Sequence, residues 1–216
     1  MPHQRYVIDG LEYPSVTTIL NIIAKPFLIK WANGLGKKGI DYEEYLKNSA
    51  GIGTLTHLLI ENHIKKTQTD PNTLKQYKNE QIDIANKYFE SFKKWYDAEE
   101  IIPFLSECSM VSKELGYGGT CDFVFIDKNN DTFLIDFKTT SHIQKDYFIQ
   151  MMAYSELLSA SQKAFVDKIA VLRLLPDGYE YQEMDLKEAI NKYYGYFKAC
   201  KTLYEIKKIL EKEGIV

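Results

Sequence analysis

Apolar positions along this chain follow two periods, and the change between them divides the sequence. Up to about residue 100 the pattern is helical, with apolar residues recurring every three or four positions. The clearest stretch is 74–99, where Tyr77, Ile84, Tyr88, Phe92 and Trp95 share one face. From about 101 the chain turns to runs rich in Val, Ile and Phe, broken by turn residues, which is the pattern of strands.

In chain order the pattern predicts a short hairpin over 5–13 around Asp9-Gly10. Helices follow over 16–23, with Ser15 as N-cap, and from Pro26 to about Leu35, where Gly34, Gly36 and Gly39 break the run. A longer helix is expected over 41–65, interrupted near Gly51 and Gly53, and the polar stretch 67–72 reads as an exposed loop. Strands are expected at 101–114, 117–126 and 131–138, a crossing helix at 144–161, strands at 165–174 and 179–183, and a closing helix at 190–213. This order predicts an α/β fold, a central mixed β-sheet flanked by helices. One domain over 1–216 is expected: a mainly helical part to 100, the sheet and crossing helix over 101–185, and a C-terminal helix over 186–216.

Composition narrows the setting. The chain is 45% hydrophobic and 26% charged, as in ordinary globular proteins, and carries a formal net charge of −3. Bulk attraction to nucleic acid is therefore excluded, and any such site must be a local basic patch. Three scattered cysteines, Cys108, Cys121 and Cys200, argue against a disulfide framework or a four-cysteine cluster. No apolar run is long enough to span a membrane, and Met1 to Arg5 precede no apolar leader, so a cytoplasmic setting is expected.

Three charges stand inside the strand-rich region. Asp122 follows Gly118-Gly119-Thr120-Cys121, and Asp136-Phe137-Lys138 comes fourteen residues later. A charge among Val, Ile and Phe is costly unless it is paired or holds a metal. Asp136 and Lys138 must share a face, because strand side chains alternate. Asp122 joins them only if the connection holds an odd number of residues or contains a bulge. A three- or five-residue connection is therefore predicted. Two carboxylates able to bind a divalent cation, with a lysine beside them, suit phosphodiester hydrolysis.

Further residues extend this set. Gly53 and His57 lie four apart on one helical face, Glu107 lies on the preceding strand, and Gln150 and Tyr154 share a face of the next helix. Taken in order, these residues resemble the PD-(D/E)xK nuclease superfamily, in its RecB-like exonuclease branch. The opening Tyr13-Pro14-Ser15-Val16-Thr17-Thr18-Ile19-Leu20 is similar to the start of phage and mitochondrial genome-maintenance exonucleases of that branch. The resemblance spans roughly 11–175. It implies a restriction-endonuclease-like core and a metal-dependent DNA exonuclease of recombination and repair.

The resemblance also implies roles. Asp122 and Asp136 would ligate Mg²⁺ or Mn²⁺, with His57 and the Phe137 carbonyl as further ligands. Lys138 would orient or deprotonate the attacking water, or stabilise charge on the phosphate. Gln150 and Tyr154 would position the phosphate backbone and Lys138. An imidazole ligand suits Mn²⁺ better than Mg²⁺. Glu107 reads equally as a ligand or second-layer acid and as a partner of a basic group, and Glu61 as a solvated or supporting carboxylate. Lys30, Trp31, Lys37 and Lys38 form a basic, aromatic segment that suits a nucleic-acid strand, although a solvated helix face explains the lysines as well. The expected partner is DNA, single-stranded or with free ends, with a helicase, recombinase or other DNA-processing protein beside it. Two alternatives stand: a structure-specific endonuclease with the same site, and a non-catalytic nucleic-acid-binding module.

Overall fold

The structure, a computed structural model, describes residues 6–215. Residues 1–5, which include the expected hairpin start and the stretch read for a leader, lie outside the described residues, as does Val216. The chain forms two compact units. The first comprises residues up to Ile23, Glu99–Arg173 and from Tyr181 onward, and the second comprises Ala24–Ala98 with Leu174–Glu180. Among the described residues no helix is long and apolar enough to cross a membrane.

The first unit opens with the hairpin β1 (Tyr6–Ile8) and β2 (Leu11–Tyr13), with Asp9 and Gly10 both at positive φ in the turn. The Ser15 hydroxyl then accepts from Thr18 N–H and starts α1 (Val16–Leu20). This helix stops three residues short of its expected end. Ile22 and Ile23 pack against the core from non-helical backbone, so their apolar signal lengthened the predicted helix.

The sheet contains β3 (Ile102–Ser112), β4 (Tyr117–Ile126), β5 (Thr132–Lys138), β6 (Lys168–Leu175) and β7 (Gly178–Asp185), in that spatial order. β4 runs antiparallel to β3 and β5, while β5 and β6 are parallel. The parallel step needs a crossover, which is α6 (Lys145–Leu157). A π-helical turn, Leu158–Gln162, ends that helix. The last element is α7 (Leu186–Lys212), four residues longer at its start than expected. The α/β fold with a mixed sheet is therefore as the sequence pattern predicts.

One face of the sheet carries the main core. Val124 and Leu134 belong to one buried cluster with Ile149, Met152, Ala153 and Leu157 of α6 and Phe197 of α7. On the opposite face Phe123, Phe125, Phe133 and Phe137 stack, with centroid separations of 5.0 to 6.2 Å. The Tyr117 hydroxyl ties β4 to α6 by donating to Glu156 at 2.9 Å. Burial pushes the Glu156 carboxyl above its ordinary range, against the smaller downward pulls of the Tyr117 hydrogen bond and Lys198. A raised folded value stabilises fully below the unfolded value of about 4.3 and is lost as pH rises through the folded one. Ionised Glu156 is thus a burden at neutral pH. Glu156→Gln, whose amide oxygen still accepts from Tyr117, should be more stable than the parent in urea melts at pH 7. At pH below about 4 the two should coincide; a variant weaker at pH 7 would contradict the sign.

The second unit is helical. It holds α2 (Phe27–Gly36), α3 (Tyr42–Lys65), the single turn α4 (Pro71–Leu74) and α5 (Asn79–Ala98). The expected break near Gly51 and Gly53 does not occur. A side chain at Gly51 would strike the Gln81 amide, which sits there and donates to Asn48 carbonyl at 3.2 Å. The glycine therefore lets α3 and α5 approach without ending the helix. The expected loop at 67–72 holds the start of α4, with Asp70 as its N-cap. α5 begins five residues later than the apolar pattern suggested, because Leu74 and Tyr77 join the Ile52–Leu55–Ala85 cluster from outside it.

Candidate active site

Five residues, Asp127–Asp131, connect β4 to β5, one of the two predicted lengths. The Asp127 carboxylate organises them by accepting from the N–H groups of Asn129 and Asp131, both at 2.9 Å. Asn130 takes the left-handed conformation, with φ 64°. The resulting register pairs Phe123 with Ile135. Asp122 and Asp136 therefore come next along the ladder, facing each other on the α6 side.

Like charges opposed across strands are unfavourable unless compensated. Lys138 supplies one compensation: its ammonium lies 2.8 and 2.6 Å from the two Asp136 oxygens. Asp136 is only 4% exposed. Asp122 Oδ2 accepts from the Phe137 N–H at 2.8 Å, so the intervening residue fixes the opposing carboxylate. Burial alone would lower the Lys138 value, but the charges of Asp136 and Asp122, the Asp136 hydrogen bond and Tyr147 outweigh it and move the value upward. Lys138 is thereby held as the cationic partner of Asp136.

Glu107 is the irregular member. Ser106 pairs with Phe123 and Cys108 with Cys121, which sets Glu107 opposite Asp122. Its φ is 49°, in the left-handed region, inside a strand. The side-chain alternation of β4 slips at the same level: Cys121 and Val124 both join the α6-side core despite opposite parity. Local distortions of this kind re-aim side chains. Here the Glu107 and Asp122 carboxylates come within 4.8 Å of each other.

α6 and α1 close the set. Gln150 Nε2 donates to the Tyr154 hydroxyl at 2.7 Å and to Thr17 Oγ1 at 3.2 Å. Burial pushes the Tyr154 phenol far above its ordinary range, and the charges of Asp136 and Asp122 push in the same direction. The two glycines before Asp122 make room for this arrangement. A Cβ on Gly119 would overlap the Tyr154 ring, and one on Gly118 the Tyr6 ring. Gly118 N–H also donates to the Pro14 carbonyl at 2.9 Å, which docks the Pro14–Thr18 segment on β4. Gly119→Ala should destabilise the protein by about 1–3 kcal/mol through overpacking, read as a fall in melting temperature. An exposed strand glycine would gain stability from the same change, so a gain would place Tyr154 elsewhere.

The remaining predicted residues are placed as follows. His57 and Glu61 lie on α3 in the second unit, and Glu61 pairs with Lys65 one turn on at 2.5 Å. Lys30 and Trp31 lie on α2, Lys37 caps it, and Lys38 follows, all exposed. The Trp31 ring meets Tyr42 and Tyr45 edge-on at 5.5 Å each. Thr17, Thr140, Tyr147 and Arg173 also belong to the neighbourhood of Lys138 and Gln150, and sequence reasoning did not single them out. The Thr17 signal lay in the opening motif, and the rest depended on contacts between elements.

The site has the donor chemistry of a hard divalent cation. Glu107, Asp122 and Asp136 offer carboxylate oxygens on one side of the sheet, and Mg²⁺ and Mn²⁺ favour such ligands. No family model matches the chain. No curated protein matches it either. Among solved structures, it is similar to a presumed exonuclease from Eubacterium rectale, with 13% identity and a TM-score of 0.41 over 78% of this chain and 69% of that one. It is also similar to LHK-Exo in complex with dAMP, with 13% identity and a TM-score of 0.34 over 77% of this chain and 91% of that one. A protein named SSO0001 matches at 13% identity and a TM-score of 0.32, over 64% and 81% of the respective chains. At these scores the likenesses assign no function.

Proposed function

We propose that this chain is a divalent-metal-dependent nuclease that hydrolyses DNA from a free or single-stranded end, in the manner of the RecB-like exonucleases its motifs resemble. The observation that carries the reading is the register that sets Asp122 against Asp136, with Lys138 bonded to one and Glu107 bent toward the other.

In this reading Asp122, Asp136 and Glu107 hold Mg²⁺ or Mn²⁺, with the Phe137 carbonyl and His57 as further donors. The ion supplies polarisation of the phosphoryl group and a more acidic bound water. The Lys138 ammonium stabilises the negative charge that grows on the phosphate during attack. Gln150 orients the backbone phosphate, and Tyr154, bonded to it, holds its amide in place. Lys30, Trp31, Lys37 and Lys38 contact the strand by charge and stacking.

The test is a time course on end-labelled linear single-stranded DNA beside a closed circle of the same sequence. Shortening of the linear strand alone, with Mg²⁺ or Mn²⁺ and never with chelator, is the expected result. Cutting of the circle would make the enzyme an endonuclease. Binding without metal-dependent cleavage of either would make the chain a binding module. If His57 is a ligand, Mn²⁺ should support the rate at least as well as Mg²⁺.

A further inference from the structure

The segment after Lys138 is held more tightly than a surface loop requires. Thr140 lies two residues past the end of β5. Its carbonyl accepts from Arg173 Nε at 2.7 Å, and its hydroxyl donates to the His142 carbonyl at 3.2 Å. Arg173 itself pairs in register with Lys138 on the neighbouring parallel strand. The Tyr147 hydroxyl completes the node by donating to Thr140 Oγ1 at 3.1 Å. β5, β6 and α6 therefore meet at one threonine.

That node fixes the ring of Tyr147, and the Lys138 ammonium stands 4.9 Å from the ring centroid. This separation is within the range of a cation–π contact. Tyr147 precedes Gln150 by three residues and Tyr154 by seven, so it belongs to the same stripe of α6. Neither the Gln150–Tyr154 pair nor the carboxylates require it.

We propose that Tyr147 is the positioning residue for Lys138, a seat that holds the ammonium by its aromatic face. The physical case is selectivity between two cations. A lysine ends a flexible four-carbon stem and needs a second attraction to stay in place. A further carboxylate would provide one, but it would also bind the divalent ion. An aromatic face attracts the ammonium and offers a hard cation no oxygen ligand. Tyr147 thus keeps Lys138 close to Asp136 without the lysine resting on that carboxylate alone. What Lys138 does in turnover rests on the nuclease reading, while how it is held rests on the geometry.

Two variants separate ring from hydroxyl. Tyr147→Phe keeps the seat and loses the Thr140 bond; Tyr147→Leu keeps bulk and loses the ring. The first readout is the proton NMR shift of the Lys138 ε-methylene in the metal-free full chain. It should be ring-shifted upfield in the parent and in Tyr147→Phe, and return to the ordinary lysine position in Tyr147→Leu. The second readout is turnover of single-stranded DNA with Mg²⁺. Tyr147→Leu should lower kcat by about 2- to 30-fold, the rate equivalent of a cation–π contact, with KM unchanged, and Tyr147→Phe should restore most of the rate. An unshifted lysine in the parent overturns the proposal, as does Tyr147→Phe falling as far as Tyr147→Leu, or a change confined to KM. If the parent cleaves nothing, the nuclease reading fails, and the NMR shift still decides whether Tyr147 seats Lys138.

Discussion

Asp122→Asn should lose hydrolysis by on the order of 10²–10³-fold and, in chelator, melt above the parent. The two effects have opposite signs for one reason. Metal-free, the Glu107 and Asp122 carboxylates stand within 4.8 Å of each other, and Asp136, paired with Lys138, stands opposite Asp122. The asparagine oxygen can still accept from the Phe137 N–H, so the local geometry survives while one repelling charge goes. The relief is about 0.2–1 kcal/mol, the range for like charges opposed across strands. Lys138→Met should do the reverse in chelator, because it takes from buried Asp136 the ammonium bonded to it. Added Mg²⁺ should raise the parent's melting temperature through linkage and leave Asp122→Asn nearly unmoved. Calorimetry with and without the ion, beside the cleavage assay, reads each of these effects. If Asp122→Asn melted well below the parent in chelator, the carboxylates would be structural.

Much of this frame was legible because strand geometry is unforgiving. With a period of two, Asp136 and Lys138 had to share a face, and an odd connection was required to bring Asp122 beside them. The five-residue Asp127–Asp131 connection satisfies that parity, and β4 and β5 begin and end within one residue of expectation. Helix ends were less legible. Ile22, Ile23 and Tyr77 carry the apolar signal of a helix while packing from non-helical backbone, and Leu74 packs from the separate short α4, so periodicity overran both boundaries. Gly51 read as a breaker, whereas its missing side chain is filled by Gln81 from a helix thirty residues away. The Tyr147–Thr140–Arg173 node had no local signature, because each of its bonds joins a different element. The glycines before Asp122 were visible as a motif, but their cause, the Tyr6 and Tyr154 rings, was not.

Glu107 was legible as a candidate acid but not in its backbone, and it carries the second large expectation. Nothing local marks it for a left-handed backbone, since neither glycine nor asparagine stands there, yet its φ is 49°. Such a conformation costs an L-residue about 1–2 kcal/mol, and strain of this kind persists where the surroundings impose it. Opposite Asp122, at the level where β4 slips its alternation, the strain has a use: it turns a further carboxylate toward Asp122. Glu107→Gly should therefore be more stable than Glu107→Ala by about 1 kcal/mol in urea melts. In an ordinary strand position the order would be reversed, because glycine has more conformational freedom to lose. Both variants should lose cleavage by on the order of 10²-fold or more, and Glu107→Gln, which keeps the shape and drops the charge, should fall with them. Full activity in Glu107→Gln would remove this carboxylate from the metal centre, and Glu107→Gly no more stable than Glu107→Ala would remove the strain. The two results are independent, so the experiment separates a residue bent for chemistry from one bent by packing.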